Sequence, residues 1–134
     1  MVVCGAVIVA FTLCFEQGVI PVSQPIDMAK AMTKWSSTEI LPPAAYDRPY
    51  RGKISITIAN SEKELREKCE LTTPKIIACA WVDYKGTCTI VRRDDKHLEA
   101  MAMPIAWVLR HETAHCNGWG KDHTGMRKPN KGDL

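Results

Sequence analysis

Between residues 53 and 58 apolar and polar positions alternate strictly, Lys-Ile-Ser-Ile-Thr-Ile, a period of two that marks a half-buried strand. Its isoleucine face is expected to point into the core. Ser61 and Glu64 follow as a capping-box pair, the hydroxyl able to accept from the third helical amide and the carboxylate able to reach back. A short helix is therefore expected through about Cys69. Residues 75–82 and 87–92 are two further strand candidates, and Asp83-Tyr84-Lys85-Gly86 between them reads as a hairpin turn. Residues 94–101 have helical composition over a short span. Pro104 interrupts or restarts any helix there, and Ile105, Val108, Leu109 and Cys116 then fall on one stripe until Asn117-Gly118 stops it. Upstream, residues 19–50 carry Pro21, Pro25, Pro42, Pro43 and Pro49 and read mostly as a connector, with residues 26–35 able to make two or three helical turns. The tail from residue 121 to 134 is polar and expected at the surface, and no internal repeat is visible. Together these elements predict an α+β domain over residues 46–134, a small mixed or antiparallel sheet packed on one long helix, preceded by a connector over residues 21–45.

Residues 2–15 carry no charge. Spanning a bilayer takes about 20 apolar residues, so a run of this length fits the apolar part of an export signal better than a full span. No Lys or Arg precedes it and no small-x-small cleavage site follows, which leaves an uncleaved membrane anchor, or a buried N-terminal strand or helix, as alternatives. The expectation drawn from residues 1–20 is a protein exported or anchored to a membrane, in a periplasmic or secreted setting. Of the six cysteines, Cys4 and Cys14 fall in this run and Cys69, Cys79, Cys88 and Cys116 in the folded part. In an oxidising compartment those four allow three pairings, whereas free buried thiols are the alternative; no Cys-x-x-Cys suggests a cysteine metal site. A length of 134 residues suits one domain, and 46% apolar with 25% charged residues excludes a disordered chain. The net charge of +3 comes from 18 basic and 15 acidic residues that are interleaved, so the basic stripe that a nucleic-acid partner needs is missing.

The chemistry is concentrated at positions 111 to 123. Residues four apart on a helix are separated by about 40° around its axis, so His111 and His115 project from one face a turn apart, as two ligands of one metal must. Glu112 sits beside that face, where a carboxylate can take a proton from a metal-bound water. The run His111-Glu112-Thr113-Ala114-His115 resembles the His-Glu-x-x-His signature of the zincin superfamily of zinc metallopeptidases. The likeness to the metzincin branch, HExxHxxGxxH, continues through Gly118. It departs at the next position, where Lys121 replaces the third ligand. The gluzincin branch takes a downstream Glu, and none follows Glu112.

The resemblance implies one Zn2+ held by His111, His115 and a third residue, with Glu112 as general base in hydrolysis of peptide bonds. His123 is the expected third ligand, since Gly118 and Gly120 let the chain absorb two extra residues in the turn. Asp122 is the alternative ligand, or the orienting partner of a histidine. Gly125-Met126 is similar to the methionine turn that metzincins carry beneath their metal. Trp119 lines the site or packs, His97 stands alone on a polar segment, and Tyr46, Tyr50 and Tyr84 are candidate oxyanion hydroxyls. A peptide or protein substrate would pair with an exposed edge strand, residues 87–92 or 53–58. The rival expectation is a non-catalytic zinc-stabilised interaction domain of an envelope or surface assembly, for which a core of this size could use a metal clamp.

Overall fold

The computed structural model describes residues 27–73 and 75–134. The apolar run at residues 2–15, with Cys4, Cys14 and the export, anchor or core readings attached to it, lies outside the described residues. The class is α+β, as the sequence patterning predicts.

Helix α1 spans Met28–Trp35 and begins because the Asp27 carboxylate accepts the amides of Ala29 and Lys30 at 3.0 and 3.4 Å. Its apolar positions Met28, Ala31, Met32 and Trp35 recur at helical spacing and pack with Leu41, Leu98, Met103, Trp107 and Val108. Residues 27–45, legible in the sequence mostly as connector, thus bring Ala31 and Leu41, both fully buried, into the core.

Strand β1, Ile54–Ala59, leads into helix α2, Glu62–Cys69. Ser61 caps the helix by accepting from the Glu64 amide at 3.0 Å, while the Glu64 carboxylate reaches back to the Asn60 amide at 2.9 Å, one residue earlier than a capping box requires. The hairpin forms as expected, but its first strand, β2, is confined to Ala78–Val82; β3 is Cys88–Arg93, and the turn between them closes at Gly86 with φ of +78°. The sheet order is β1-β3-β2, with β1 parallel and β2 antiparallel to β3.

Alternation along β3 sends its side chains to two different helices. Val91 meets Ala59 and Leu65, hence α2, whereas Cys88 and Ile90 meet Cys116 and Leu109 on the long C-terminal helix. Helix α3, Asp95–Ala100, is capped by Asp94, and α4, Ile105–Cys116, starts at Pro104 as expected.

Two expectations fail. The isoleucine face of β1 does not point into the core: Ile54, Ile56 and Ile58 are 40, 48 and 44% exposed. They share a sheet face with Cys88 and Ile90, but α4 packs mainly over β2 and β3, so the edge strand carries its apolar row beyond the helix. Residues 87–92 are not an edge either, because β3 is the central strand with partners on both sides.

Of the three pairings open to four cysteines, the fold selects Cys69–Cys79 and Cys88–Cys116. The first ties the end of α2 to β2; the second ties the end of α4 to β3. Thiol titration of the denatured, unreduced protein should therefore find none of these four sulfurs free. Replacing Cys88 and Cys116 together by Ala should lower unfolding free energy by about 3–4 kcal/mol in urea titrations, the loop-entropy value for a closed loop of this length. Stability equal to that of the unmutated protein would show that this bridge does not form.

Candidate metal centre

Helix α4 places His111 and His115 one turn apart, with ring centroids 5.0 Å from each other. Each ring is oriented by a backbone carbonyl: His111 Nδ1 lies 2.6 Å from the Ile40 oxygen, and His115 Nδ1 lies 3.0 Å from the Trp119 oxygen. A carbonyl oxygen only accepts, so Nδ1 carries the proton in both rings and each Nε2 keeps its lone pair. Both Nε2 atoms face His123 Nε2 at 3.1 Å. The three nitrogens converge on one point, where either the N–H of His123 or a metal ion can sit.

His123 reaches the pair because the chain reverses sharply after α4. Gly118, with φ of +102°, ends the helix in a Schellman turn in which the Trp119 amide donates to Ala114 and the Gly118 amide to His115. The His123 amide then donates to the Gly120 carbonyl at 3.0 Å, and His123 itself adopts a left-handed conformation with φ of +57°. That conformation costs a residue with a side chain about 1–2 kcal/mol, and strain of this kind collects at functional sites. The two residues by which the turn exceeds the metzincin pattern are absorbed here.

Asp122 does not join the cluster. It is exposed, and its carboxylate accepts the Thr124 amide at 3.3 Å and the Thr124 hydroxyl at 2.8 Å. These bonds hold its carboxyl below the usual range and shape the turn that presents His123.

Trp119 both packs and lines the centre. It is 4% exposed, stacks on His115 with centroids 4.8 Å apart and planes at 15°, and meets His111 and His123 edge-on at 5.0 Å. Its indole N–H donates to Thr124 at 2.9 Å, tying the floor of the site to the loop beyond His123.

Burial sets the protonation of the group. His111 is pushed down to about 4, first by desolvation and further by the neighbouring His115 and His123, against the raising effect of the Ile40 carbonyl. Burial lowers His123 as well. Both rings are neutral at pH 7, the form that ligates metals. Glu112 lies on the same helical stripe as Val108 and Cys116, is 6% exposed, and is pushed up to about 8 by desolvation alone. A dication beside it would favour the carboxylate and draw this value down.

The three imidazoles and Glu112 open onto a cleft of about 920 Å³, one wall of which is strand β2. This is the edge strand that borders the site. Lys121 and Met126 also line it. The candidate hydroxyls do not: Tyr50 donates to the Gly86 carbonyl at 2.7 Å, Tyr84 is 94% exposed, and Tyr46 packs beside Gly118. His97 sits on α3 outside the cluster, where Asp94 accepts its backbone amide. Neither the Ile40 carbonyl nor the floor made by Trp119 has a sequence signature, since one is a backbone atom and the other a packing residue until the turn places it.

Among the described residues, His111, His115 and His123 form the group able to hold a metal ion. One divalent ion per chain is therefore expected, lost in His111→Ala, His115→Ala and His123→Ala but kept in Asp122→Asn. Elemental analysis after metal loading checks this, and loss of metal from Asp122→Asn would reverse the ligand assignment.

Protons compete for ligands only below the pKa of each ring. His111, at about 4, stays neutral down to that value, so in Glu112→Gln, where the metal has no buried carboxyl proton to displace, the logarithm of metal affinity should fall by no more than about two per pH unit between pH 6 and 5. A slope of three in competition titrations would show three ordinary histidines.

No protein-family model matches this chain, and no curated protein or solved structure matches it either, so the chemistry of the centre is read from its own geometry.

Proposed function

We propose that the chain is a zinc-dependent peptidase. The observation that carries this reading is a buried carboxylate, Glu112, opening onto the same cleft as three converging imidazole nitrogens. The donor set fits zinc: nitrogens about 2.0–2.1 Å from one metal at the tetrahedral angle lie about 3.3 Å apart, close to the 3.1 Å separations here, and three ligands leave a fourth position for water. Zinc bound there would supply a Lewis acid and an acidified water.

The protein's own groups do the rest. Glu112 takes the proton of the attacking water and returns it to the leaving amine, a task suited to a carboxyl whose pKa burial has moved toward neutrality. The Ile40 and Trp119 carbonyls hold His111 and His115 in the ligating tautomer, so no ring has to turn on binding metal. An extended peptide or protein substrate pairs with β2, whose Ala78 and Ala80 leave space beside the cleft.

Two disulfides fit an oxidising compartment and agree with an export or anchoring role for residues 1–20. Among the described residues no helix is long and apolar enough to cross a membrane. The rival, a zinc-stabilised interaction domain, gives Glu112 no task, and burying an unneeded carboxylate costs stability.

Glu112→Gln separates the two readings, since it keeps the side chain's size and removes only the proton acceptor. The variant should keep its zinc and cleave a peptide library about 10²–10⁴-fold more slowly than the unmutated protein. Equal rates for the two proteins, both zinc-loaded, would sink the mechanism.

A further inference from the structure

A second cluster, built around Arg110 next to His111 in the chain, is not used by the proposed chemistry. Asp47 and Asp133 are shared between two arginines. Asp47 accepts from Arg110 through Nε at 3.1 Å and through Nη2, and from Arg127 Nη2 at 3.2 Å. Asp133 accepts from Arg110 Nη2 at 2.9 Å and from both terminal nitrogens of Arg127, each at 2.9 Å. Asp133 is also fixed from other directions: its carboxylate accepts the Asn130 amide at 2.8 Å and its carbonyl the Trp107 indole N–H at 3.1 Å. Hydrogen bonds from Arg110 to Asp47 and from Arg127 to Asp133 hold both carboxyls below the usual range, so two negative and two positive charges face each other at neutral pH.

Both arms of this cluster end at one hydrogen bond. Arg110 immediately precedes His111 on α4, the donor side. Arg127 holds the acceptor side through its backbone: its carbonyl accepts the amides of Ile40 and Leu41, each at 3.0 Å, and its amide donates to Leu41 at 2.8 Å. The Ile40 carbonyl so held is the one that accepts from His111 Nδ1. A carbonyl on an unanchored loop would move away from the ring and leave His111 to exchange tautomers and rotate. We propose that Asp133, acting through Arg127 and Arg110, is a positioning residue for the metal centre, fixing the His111–Ile40 hydrogen bond and with it the direction of the His111 Nε2 lone pair. The affinity consequence rests on the metal reading of the site; the effect on the ring does not.

The test uses Asp133→Asn, which keeps shape and removes the charge that holds the arginines, with Asp47→Asn as a second variant that leaves the turn at residues 130–133 untouched. Two readouts are taken at a temperature where circular dichroism shows each protein folded. The first is the His111 Nδ1 proton in the metal-free protein, followed by imidazole nitrogen–proton NMR. It should be protected from exchange in the unmutated chain and exchange at least ten-fold faster in Asp133→Asn. The second is zinc affinity by competition with a chelating dye, which should fall about 10–100-fold, the usual effect of losing an outer hydrogen-bonding partner. A purely structural role would lower the unfolding temperature and move neither quantity.

Exchange and affinity both within two-fold of the unmutated values in folded Asp133→Asn would overturn the proposal. Should that variant not fold, the same criteria apply to Asp47→Asn, and failure of both to fold would assign the cluster to folding and reject the positioning role. If the unmutated protein binds no zinc, the peptidase reading falls, and the exchange rate of the His111 proton alone decides for or against the clamp.

Discussion

Helix α4 has to satisfy two faces at once, and the rest of the structure follows from how it is seated. Its stripe of Val108, Glu112 and Cys116 is buried, with Cys116 against β3, and another side, through Trp107 and Ala114, is buried as well. Only the angular gap between these faces is left for His111 and His115, and that gap looks onto the cleft. The Cys88–Cys116 bridge fixes the end of the helix against β3.

The burial that seats the helix also tunes the chemistry. Desolvation raises Glu112 and lowers His111, opposite signs from one cause, because burial disfavours whichever form is charged. The result is a neutral imidazole and a carboxyl with its proton affinity near neutrality, set side by side on one helix. Dedicated hydrogen bonds do a different job: they choose which nitrogen of each ring is left bare.

A small domain with a short three-stranded sheet has little core with which to hold such a site. Cross-links take over part of that task. The disulfide between Cys69 and Cys79 steadies the edge strand that walls the cleft, and the Asp47–Arg110–Asp133–Arg127 cluster joins three distant segments behind it. The strained backbone at His123 persists because Trp119, the Asp122–Thr124 turn and the Schellman turn over-determine its position.

The local signals were written in the sequence. The alternation of residues 53–58, the cap at Ser61, the turn before Gly86, the helix start at Pro104 and the stop at Gly118 each depend on a few neighbouring side chains, so each could be read where it stands. So could the spacing of His111, Glu112 and His115, because a helix converts separation along the chain directly into angle. What depended on distant segments could not be read. Alternation in β1 shows that two faces differ but not that α4 stops short of one of them, which is why Ile54, Ile56 and Ile58 remain exposed. The sequence favours His123 over Asp122 only through the glycines of the turn; that His123 joins the cluster and Asp122 does not depends on the hand of a few backbone angles after Gly118, and the cysteine pairing on which strand ends meet which helix ends. The partners of the histidines, a backbone carbonyl 71 residues upstream and a four-charge cluster drawn from three parts of the chain, exist only once tertiary packing has brought together groups that no local pattern relates.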